Sequence, residues 1–344
     1  MVSVTALVLI TVSCVQNVKT NETKKETDDS VIAVKSEKSE KVCLYPVSID
    51  GKWGYIDKMG KIVINPQFDE ALEFSEGLAV VKINDKYVYI DITGKYIINQ
   101  QCNSAYSFSE GLARMEIGGK WGFIDNTGTY VIDSQFEDAK DFKEGLAAVE
   151  IGGRWGYVDN SGTYVINPQF DVASTFLDGL AAVEIGGRWG YIDNTGTFVI
   201  NPQFDLPKFE FTEGLNAIEI GGRWGYIDKT GEIVIKPQFD DAWAFKEGLA
   251  AVEIGDRWGY IDKTGKIVIN PQFGFAYVFS EGLASVMIGD WDTGKWGYID
   301  KNGKLVINPQ FDVAHEFIEG LAHVKTGGKD GYIDKTGNIV WLQP

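Results

Sequence analysis

Short apolar runs separated by glycine turns recur along most of the chain. Between Gly179 and Ile200 the segments "GLAAVEI", "GGR", "WGYID", "NTG" and "TFVI" follow one another. The runs are rich in Val, Ile, Tyr and Trp, which favour β-strands. Glycine at these intervals would destabilise a helix every few residues. The pattern therefore predicts an all-β protein built from three-stranded antiparallel meanders.

The meander repeats at a nearly constant spacing. From Trp121 onwards, successive Trp-Gly pairs are separated by 34, 34, 35, 34 and 38 residues. The signature residues are Trp53, Gly54, Trp121, Gly122, Trp155, Gly156, Trp189, Gly190, Trp224, Gly225, Trp258, Gly259, Trp296 and Gly297. Two further copies lack the tryptophan and have Tyr87-Val88 and Asp330-Gly331 instead. A fixed period of about 34 residues predicts a repeat domain over residues 43–344 with about nine copies.

The alternation of side chains predicts that each small sheet is covered on both faces. In "WGYID", Trp189 and Tyr191 point to one side of the strand, and Gly190 and Ile192 point to the other. Neither face is purely polar, so neighbouring copies must pack against both. The glycine after each tryptophan leaves room for another ring or for a backbone segment.

The connector between copies is the segment "NPQFDVASTFLDG" in residues 167–179. We expect the preceding strand to end at Pro168, because proline cannot donate a hydrogen bond to a ladder. A short helical or irregular turn would then bury Phe170 and Phe176. These two rings are predicted to hold one copy against the next.

The phrase "WGYIDxTGxxVINPQFD" resembles the WG repeat (also called the KWG repeat) of bacterial proteins, and the resemblance covers residues 43–344. The resemblance implies a β-rich repeat module with an interaction role, found in exported and in intracellular proteins, and it brings no catalytic residues. We expect an elongated, solenoid-like array, because a propeller blade usually has four strands and the altered last copy is typical of a cap. A closed β-propeller is the alternative.

The first 42 residues differ from the repeats. Residues 1–14, "MVSVTALVLITVSC", form an apolar run that is too short to span a bilayer and is typical of a signal peptide. The run resembles a bacterial lipobox that ends at Cys14, the predicted lipidation site, although Thr11 replaces the usual Leu and no Lys or Arg precedes it. Residues 15–42 are polar and predict a disordered tether. We therefore expect an exported envelope lipoprotein, with a secreted or a cytoplasmic protein as alternatives.

The charge of the chain limits its partners. The net charge is −17 and the isoelectric point is about 4.6. Nucleic-acid binding needs clusters of Lys and Arg that neutralise phosphates, so we exclude it. An anionic membrane surface would repel the repeats as well, which leaves the predicted lipid anchor as the only membrane contact.

The sequence predicts no enzyme and no cofactor. It contains no Gly-x-Ser-x-Gly motif and no nucleophile and base at a recognisable spacing. Acidic residues such as Asp193, Asp205, Glu213 and Glu219 recur from copy to copy, whereas a catalytic pair needs to occur only once. We interpret Asp193 as a residue that caps its turn and not as a calcium ligand, because no copy has the dense oxygen-ligand run of a calcium loop.

Two histidines and Glu316 or Glu319 could form a metal pair. His315 and His323 are the only histidines of the chain. No ligand spacing recurs around them, so two ordinary substitutions are the favoured interpretation and no metal site is predicted.

The cysteines predict no disulfide framework. A disulfide between Cys43 and Cys102 is one option. Cys102 occupies a position at which other copies have Phe, so we interpret it as a small buried substitute for a ring and not as a reactive thiol.

The candidate binding residues lie where one copy departs from the rest. Four extra residues in "IGDWDTGKWG" place Trp291 between Asp290 and Asp292, shortly before Trp296. Inserted loop tips often add specificity, although drift of a tolerant loop would give the same sequence. The other tryptophans could form a row of exposed rings for sugars, but we favour packing between copies. We expect a protein partner, with a glycan or cell-wall polymer, or a spacer role without a ligand, as alternatives.

Overall fold

The computed structural model describes residues 15–16, 41–208 and 210–344. The predicted signal peptide, Cys14 and most of the predicted tether lie outside the described residues. At the two ends of the predicted tether, β1 (Val15–Gln16) pairs antiparallel with β2 (Lys41–Val42). The described part of the chain contains no helix that is long and apolar enough to cross a membrane.

The described residues from Leu44 to Leu342 form nine successive antiparallel sheets, which close into a nine-bladed propeller. This confirms the all-β prediction and its propeller alternative; the elongated array that we favoured is not formed. Blade 1 contains β3 (Leu44–Ile49), β4 (Lys52–Asp57) and β5 (Ile62–Phe68); blade 2 contains β6 (Glu70–Ala71), β7 (Leu78–Ile83), β8 (Lys86–Asp91) and β9 (Tyr96–Cys102); blade 3 contains β10 (Ser104–Ala105), β11 (Leu112–Ile117), β12 (Lys120–Asp125) and β13 (Tyr130–Phe136).

The remaining six blades repeat this order. Blade 4 contains β14 (Asp138–Ala139), β15 (Leu146–Ile151), β16 (Arg154–Asp159) and β17 (Tyr164–Phe170); blade 5 contains β18 (Val172–Ala173), β19 (Ala181–Ile185), β20 (Arg188–Ile192) and β21 (Phe198–Phe204); blade 6 contains β22 (Leu206–Pro207), β23 (Leu215–Ile220), β24 (Arg223–Asp228) and β25 (Ile233–Phe239). Blade 7 contains β26 (Asp241–Ala242), β27 (Leu249–Ile254), β28 (Arg257–Asp262) and β29 (Ile267–Phe273); blade 8 contains β30 (Phe275–Ala276), β31 (Ala284–Ile288), β32 (Lys295–Ile299) and β33 (Leu305–Phe311); blade 9 contains β34 (Val313–Ile318), β35 (Leu321–Thr326), β36 (Lys329–Asp334) and β37 (Ile339–Leu342).

Eight of the nine described blades have four strands, one more than we predicted. In blade 5 the extra strand comes from the connector, where Val172 pairs with Glu184 and Ala173 pairs with Val183. This short strand lies at the inner edge of the sheet, and the long strand β21 forms the outer edge. The connector therefore continues as a strand and a tight turn, and not as the helical or irregular turn that we expected.

The prediction that the strand ends at Pro168 is wrong. Pro168 lies inside β17, which runs to Phe170. The proline is tolerated because β17 is an edge strand, where a missing N–H leaves no ladder partner unpaired. The register with β16 also shifts here: Tyr157 pairs with Ile166, and the next pair is Trp155 with Phe170.

The glycine of the Trp-Gly pair faces this register shift. A Cβ added to Gly156 would lie 2.5 Å from the carbonyl oxygen of Ile166 and 2.7 Å from the nitrogen of Pro168. The same approach recurs at the glycines of the other Trp-Gly pairs. The expectation of a close approach at this position is confirmed, and the approaching group is the backbone of the outer strand.

Neighbouring blades share hydrophobic clusters, as the two-sided pattern predicted. Between blades 4 and 5, the cluster includes Trp155 and Tyr157 from one side and Phe176 and Val183 from the other, with Phe170 beside them. Phe170 and Phe176 are almost completely buried. Their predicted role in holding one copy on the next is confirmed.

Hydrogen bonds from a tight turn of each blade also link successive blades in most of the ring. Glu144 and Gly145 both have positive φ angles, 54° and 78°, in the turn that joins the inner strand of blade 4 to β15. The left-handed conformation is unfavourable for Glu. Its carboxylate offsets this cost, because it accepts hydrogen bonds from the backbone N–H groups of Asp178 and of Gly179, the latter at 2.9 Å, in the next blade.

Contacts between blades 9 and 1 close the ring. The rings of Tyr45 and Tyr332 have centroids 5.5 Å apart. Both belong to a buried cluster that also contains Ile56 of blade 1 and Leu321 of blade 9. Tyr45 donates a hydrogen bond of 3.4 Å to the backbone carbonyl of Glu319. We call this junction the seam.

Candidate binding surface

Most of the signature tryptophans are not available to a ligand. Five of them are buried, namely Trp155, Trp189, Trp224, Trp258 and Trp296. Trp53 and Trp121 are half-buried. The rings pack between neighbouring blades, as we favoured, so the repeats do not present a row of exposed rings. Trp296, one of the predicted binding residues, therefore supports the surface from beneath.

The inserted loop of blade 8 lies over a glycine that replaces an aspartate of the repeat. In blade 7, Asp240 pairs with Arg223 of the preceding blade. The corresponding position in blade 8 is Gly274, and a Cβ there would collide with the carbonyl oxygen of Gly289 in the inserted loop. Arg257 instead pairs with Asp290, at 3.1 Å. The insertion thus supplies the carboxylate that its own blade lacks.

Trp291 is the most exposed aromatic residue of the described part of the chain. Its side chain is 69% exposed, and its ring centroid lies 5.1 Å from that of Phe275. Phe275 packs against the buried rings of Trp258 and Trp296, with centroid distances of 4.9 and 5.9 Å. The exposed ring is therefore the outer member of a packed group, which we call the aromatic cluster: Trp243, Trp258, Phe275, Tyr277, Trp291 and Trp296.

Sequence reasoning missed three members of the aromatic cluster. Phe275 occupies the position that Val172 has in blade 5, and Trp243 and Tyr277 occupy the position of Ser174. An alignment of the connectors would have revealed them, because large rings replace smaller side chains in two consecutive copies. The Nε1 atom of Trp243 is buried without a hydrogen-bond partner among the described residues.

The surface around Trp291 carries negative charge. Asp290 is 80% exposed even though it pairs with Arg257. Asp292 is exposed on the other side of the tryptophan. The structure therefore brings together three of the four predicted binding residues at the surface, as one ring between two carboxylates.

The two histidines lie side by side in blade 9. The ring centroids of His315 and His323 are 5.2 Å apart, and Nε2 of His323 lies 3.3 Å from the Asp330 carboxylate. Burial lowers the pKa of both imidazoles, because it disfavours the charged form. Among the described residues there is no group of three or more His, Cys, Asp or Glu side chains arranged to hold a metal ion.

The recurring acids have structural partners. The Asp193 carboxylate accepts hydrogen bonds from the backbone N–H groups of Thr195 and Thr197, at 2.9 and 3.0 Å, so the predicted turn cap is confirmed. Asp205 pairs with Arg188 of the preceding blade. Glu213 accepts a hydrogen bond from the next blade, as Glu144 does.

Cys102 is a free, buried thiol. The suggested disulfide between Cys43 and Cys102 is therefore wrong. Cys102 pairs with Tyr87 across the outer strands of blade 2, in the place that Phe170 takes in blade 4. Burial raises the pKa of the thiol to about 11, which makes it unreactive near neutral pH. The interpretation of Cys102 as a small buried substitute for a ring is confirmed.

The propeller resembles solved structures that have little sequence similarity to it. The crystal structure of a eukaryotic initiation factor matches with a TM-score of 0.63 at 13% identity, covering 87% of this chain and 95% of the other. Two structures of Hsv2 from Kluyveromyces lactis match with TM-scores of 0.40 and 0.38 at 13% and 14% identity, covering 66% and 79% of this chain and 96% and 95% of theirs. At 13% identity, the match to the initiation factor shows that the two chains share a fold, and nothing about a shared function.

No curated protein matches the chain. The family model described as "WG containing repeat" matches eight times, at residues 53–87, 89–121, 121–155, 155–189, 189–224, 224–258, 258–290 and 296–329. Each match runs from one blade into the next, so the sequence repeat and the blade are offset by a part of one copy. The matches cover most of the propeller, and the chain belongs to the WG-repeat family.

Proposed function

We propose that this protein is a non-enzymatic binding protein, and that its partner is another protein that contacts the aromatic cluster at Trp291. The exposure of Trp291 carries this proposal. A large ring that is 69% exposed and supported from below by Phe275 presents apolar area at little conformational cost. Tryptophans that become buried when a complex forms dominate the binding energy of many protein interfaces.

The charge around Trp291 favours a basic partner. Asp290 and Asp292 flank the ring, and the whole chain carries a net charge of −17. Such a surface attracts a basic protein and raises its association rate, an effect that salt weakens. We therefore expect the complex to combine an apolar contact at Trp291 with ionic contacts at its rim.

A glycan or a cell-wall polymer is less well supported. Binding along the repeats would need many exposed rings, and the described signature tryptophans are buried or half-buried. A spacer without a ligand of its own would leave Trp291 without a function. Both alternatives are outcomes of the experiment described below.

We infer from the sequence that the protein is exported and anchored through a lipid on Cys14. The apolar run of residues 1–14 and the polar segment that follows support this inference. Labelling with a radioactive fatty acid in cells that produce the wild-type protein or Cys14→Ser tests it: label should appear in the wild type alone. Equal labelling of both, or of neither, contradicts the inference.

A capture experiment tests the proposed function. Purified full-length protein is immobilised and exposed to envelope extract and to extracellular proteins, at low and at high salt. The comparison includes Trp291→Ala and the control Met59→Ala, which removes another highly exposed apolar side chain, 77% exposed in blade 1. We expect a specific basic protein that wild type and Met59→Ala retain at low salt and that Trp291→Ala loses.

The other results lead to the alternatives. Polymer or glycan that stays bound through high salt and depends on Trp291 would replace the protein partner by a carbohydrate. Equal capture by Trp291→Ala and wild type would show that the aromatic cluster is not the binding site. If wild type retains no specific molecule under either condition, the spacer becomes the better account.

A further inference from the structure

A pocket lies at the seam, where blade 1 departs from the other blades. Blade 1 has three strands in the described chain, because no inner strand pairs with β3 (Leu44–Ile49). In blade 5 the corresponding strand β19 pairs with Val172 and Ala173 of the short inner strand. The seam contains a pocket of about 150 Å³. The pocket is bounded by blades 9, 1 and 2 and is separate from the aromatic cluster of blades 7 and 8.

The walls of the seam pocket are aromatic and acidic. Three rings line it, from Tyr45, Trp53 and Tyr332. Two carboxylates line it as well, from Glu73 of blade 2 and Glu316 of blade 9. Aromatic faces attract cations through the ring quadrupole, and nearby carboxylates add to that attraction.

The histidines of blade 9 complete the lining. His315 and His323 face the pocket, and burial lowers their pKa values, which favours neutral imidazoles near neutral pH. They therefore add polar atoms without adding positive charge. Among the described residues, the lining of the pocket contains no lysine or arginine, although Lys246 and Lys325 lie close enough to influence Glu316 and His323.

Glu73 is a half-buried acid whose carboxylate has no partner among the described residues. No hydrogen bond or ion pair to its carboxylate is formed among the described residues, and burial raises its pKa to about 7. Placing a carboxylate in such a site costs free energy unless a cation or a donor accompanies it. The Glu73 carboxylate is therefore ready to accept a positively charged group, whose arrival would remove this cost.

From this arrangement we propose that the seam pocket binds a small organic cation, an ammonium group with a short apolar body. The aromatic rings of Tyr45, Trp53 and Tyr332 contact the apolar body and the ammonium group of the ligand. The carboxylates of Glu73 and Glu316 neutralise the positive charge of that ammonium group. The volume limits the ligand, because a cavity of about 150 Å³ holds a molecule of roughly the size of benzene. Peptides and sugars are too large to enter completely.

Choline and its neutral isostere test the proposal. Calorimetry on the full-length protein at pH 8, where Glu73 is mostly ionised, compares choline, n-butylammonium and 3,3-dimethylbutan-1-ol. The last compound has the shape of choline without its charge. We expect both cations to bind in a one-to-one complex, and the neutral alcohol to bind at least about tenfold more weakly. Equal binding of choline and the alcohol, or no binding of either cation, overturns the proposal.

Variants locate the binding. Glu73→Gln keeps the shape of the side chain and should weaken choline binding by about tenfold, the effect of losing one charge-assisted contact. The matched control Asp85→Asn removes an acid of the same blade whose side chain is 97% exposed, and it should change binding by less than about twofold. An equal loss in both variants would mean that only the overall negative charge attracts the cation, which overturns the seam site.

Two further variants keep the result unambiguous. Glu316→Gln provides a second test from blade 9, should Glu73→Gln fail to fold. Trp291→Ala should bind choline as wild type does, because the aromatic cluster is elsewhere. Loss of choline binding in Trp291→Ala would assign the cation to that cluster and overturn the seam site, whatever the outcome of the protein-capture experiment.

Discussion

The phenolic hydroxyl of Tyr157 donates a hydrogen bond of 2.8 Å to the backbone carbonyl of Ser174, 17 residues further along the chain and in the next blade. The same 17-residue bond recurs at most junctions, as from Tyr260 to Tyr277 at 2.8 Å. At the seam, Tyr332 donates instead to the carbonyl of Pro46, at 3.1 Å. Eight of the nine blades thus satisfy a carbonyl of a neighbouring blade, and blade 3, which has Phe123 at this position, does not.

Replacing Tyr157 by Phe should lower the free energy of unfolding by about 1 kcal/mol, because it leaves the carbonyl of Ser174 without its donor. Urea denaturation monitored by circular dichroism measures the change. Tyr164→Phe is the control, since that hydroxyl lies on an outer strand and is partly exposed. If the two variants are equally stable, the hydroxyl bond contributes nothing to the junction.

Gly156→Ala should destabilise the protein more than Gly152→Ala. At position 156 the added methyl group would lie 2.5 Å from the carbonyl oxygen of Ile166, so the outer strand must move, which costs about 1–3 kcal/mol. Gly152 has a φ of 61° and no atom near its Cβ position, so alanine there costs about 1 kcal/mol of backbone strain. Thermal denaturation of both variants gives the order, and the reverse order would contradict the steric argument.

Glu73→Gln should stabilise the free protein at high pH and not at low pH. Burial raises the folded pKa of Glu73 to about 7, above its ordinary value of 4.5, so the folded state holds this proton more tightly than the unfolded state. The cost of ionisation is absent below pH 4.5, grows as the pH rises to 7 and is complete above pH 7. We expect a gain of about 1–3 kcal/mol at pH 8 and none at pH 4 in urea denaturation. A gain that is equal at both pH values would refute the role of burial.

Asp193→Ala should destabilise the protein at neutral pH but progressively less in acid. Hydrogen bonds from the Thr195 side chain and from the backbone of Thr197 hold the pKa of Asp193 below its usual value. The carboxylate therefore contributes stability above the unfolded pKa of about 4, and this contribution is lost as the pH falls through the lower folded value. Melting temperatures of wild type and variant between pH 7 and pH 2 should converge. Parallel curves would show that the turn cap does not depend on charge.

Asp290→Ala should loosen the inserted loop without destabilising the propeller. Both partners of the Arg257–Asp290 pair are well exposed, so its loss costs only about 0–1 kcal/mol. The loop, however, loses its link to blade 7. We expect faster hydrogen exchange in residues 289–294 and an unchanged melting temperature. Asp292→Ala is the control, and a similar acceleration in that variant would argue against a specific anchor at Asp290.

The sequence revealed the period, the strand runs and the roles of particular side chains, because these depend on local chemistry. The close approach at Gly156, the turn cap of Asp193 and the burial of Phe176 all follow from residue type and spacing. The inner strand of Val172 and Ala173 could not be recognised, since two residues carry no period. That missing strand led us to count three strands and to favour an open array.

Ring closure and the pockets depend on contacts between residues far apart in sequence. Tyr45 and Tyr332 meet at the seam, and no local pattern predicts their contact. His315 and His323 looked like isolated substitutions, but the topology places both against the acids of blades 9 and 2. Trp291 was identified because it breaks the repeat, whereas Phe275 beneath it was overlooked because its copy otherwise follows the pattern.

The hydrogen bond that Glu144 accepts from the N–H of Gly179 gives the ring a direction, as do the equivalent bonds that Glu110 accepts from Gly145 and Glu247 accepts from Gly282. Most blades hold their successors through the same atoms, so most internal joints are alike; blade 5 is an exception, because Asp178 takes the place of the glutamate and pairs with Lys229. Duplicating or deleting one copy in register would create no new kind of joint. Only the seam, with its own residues, would have to adapt to the altered curvature. The family could thus change its ring size in single steps, and selection for a given number of blades would act on the seam.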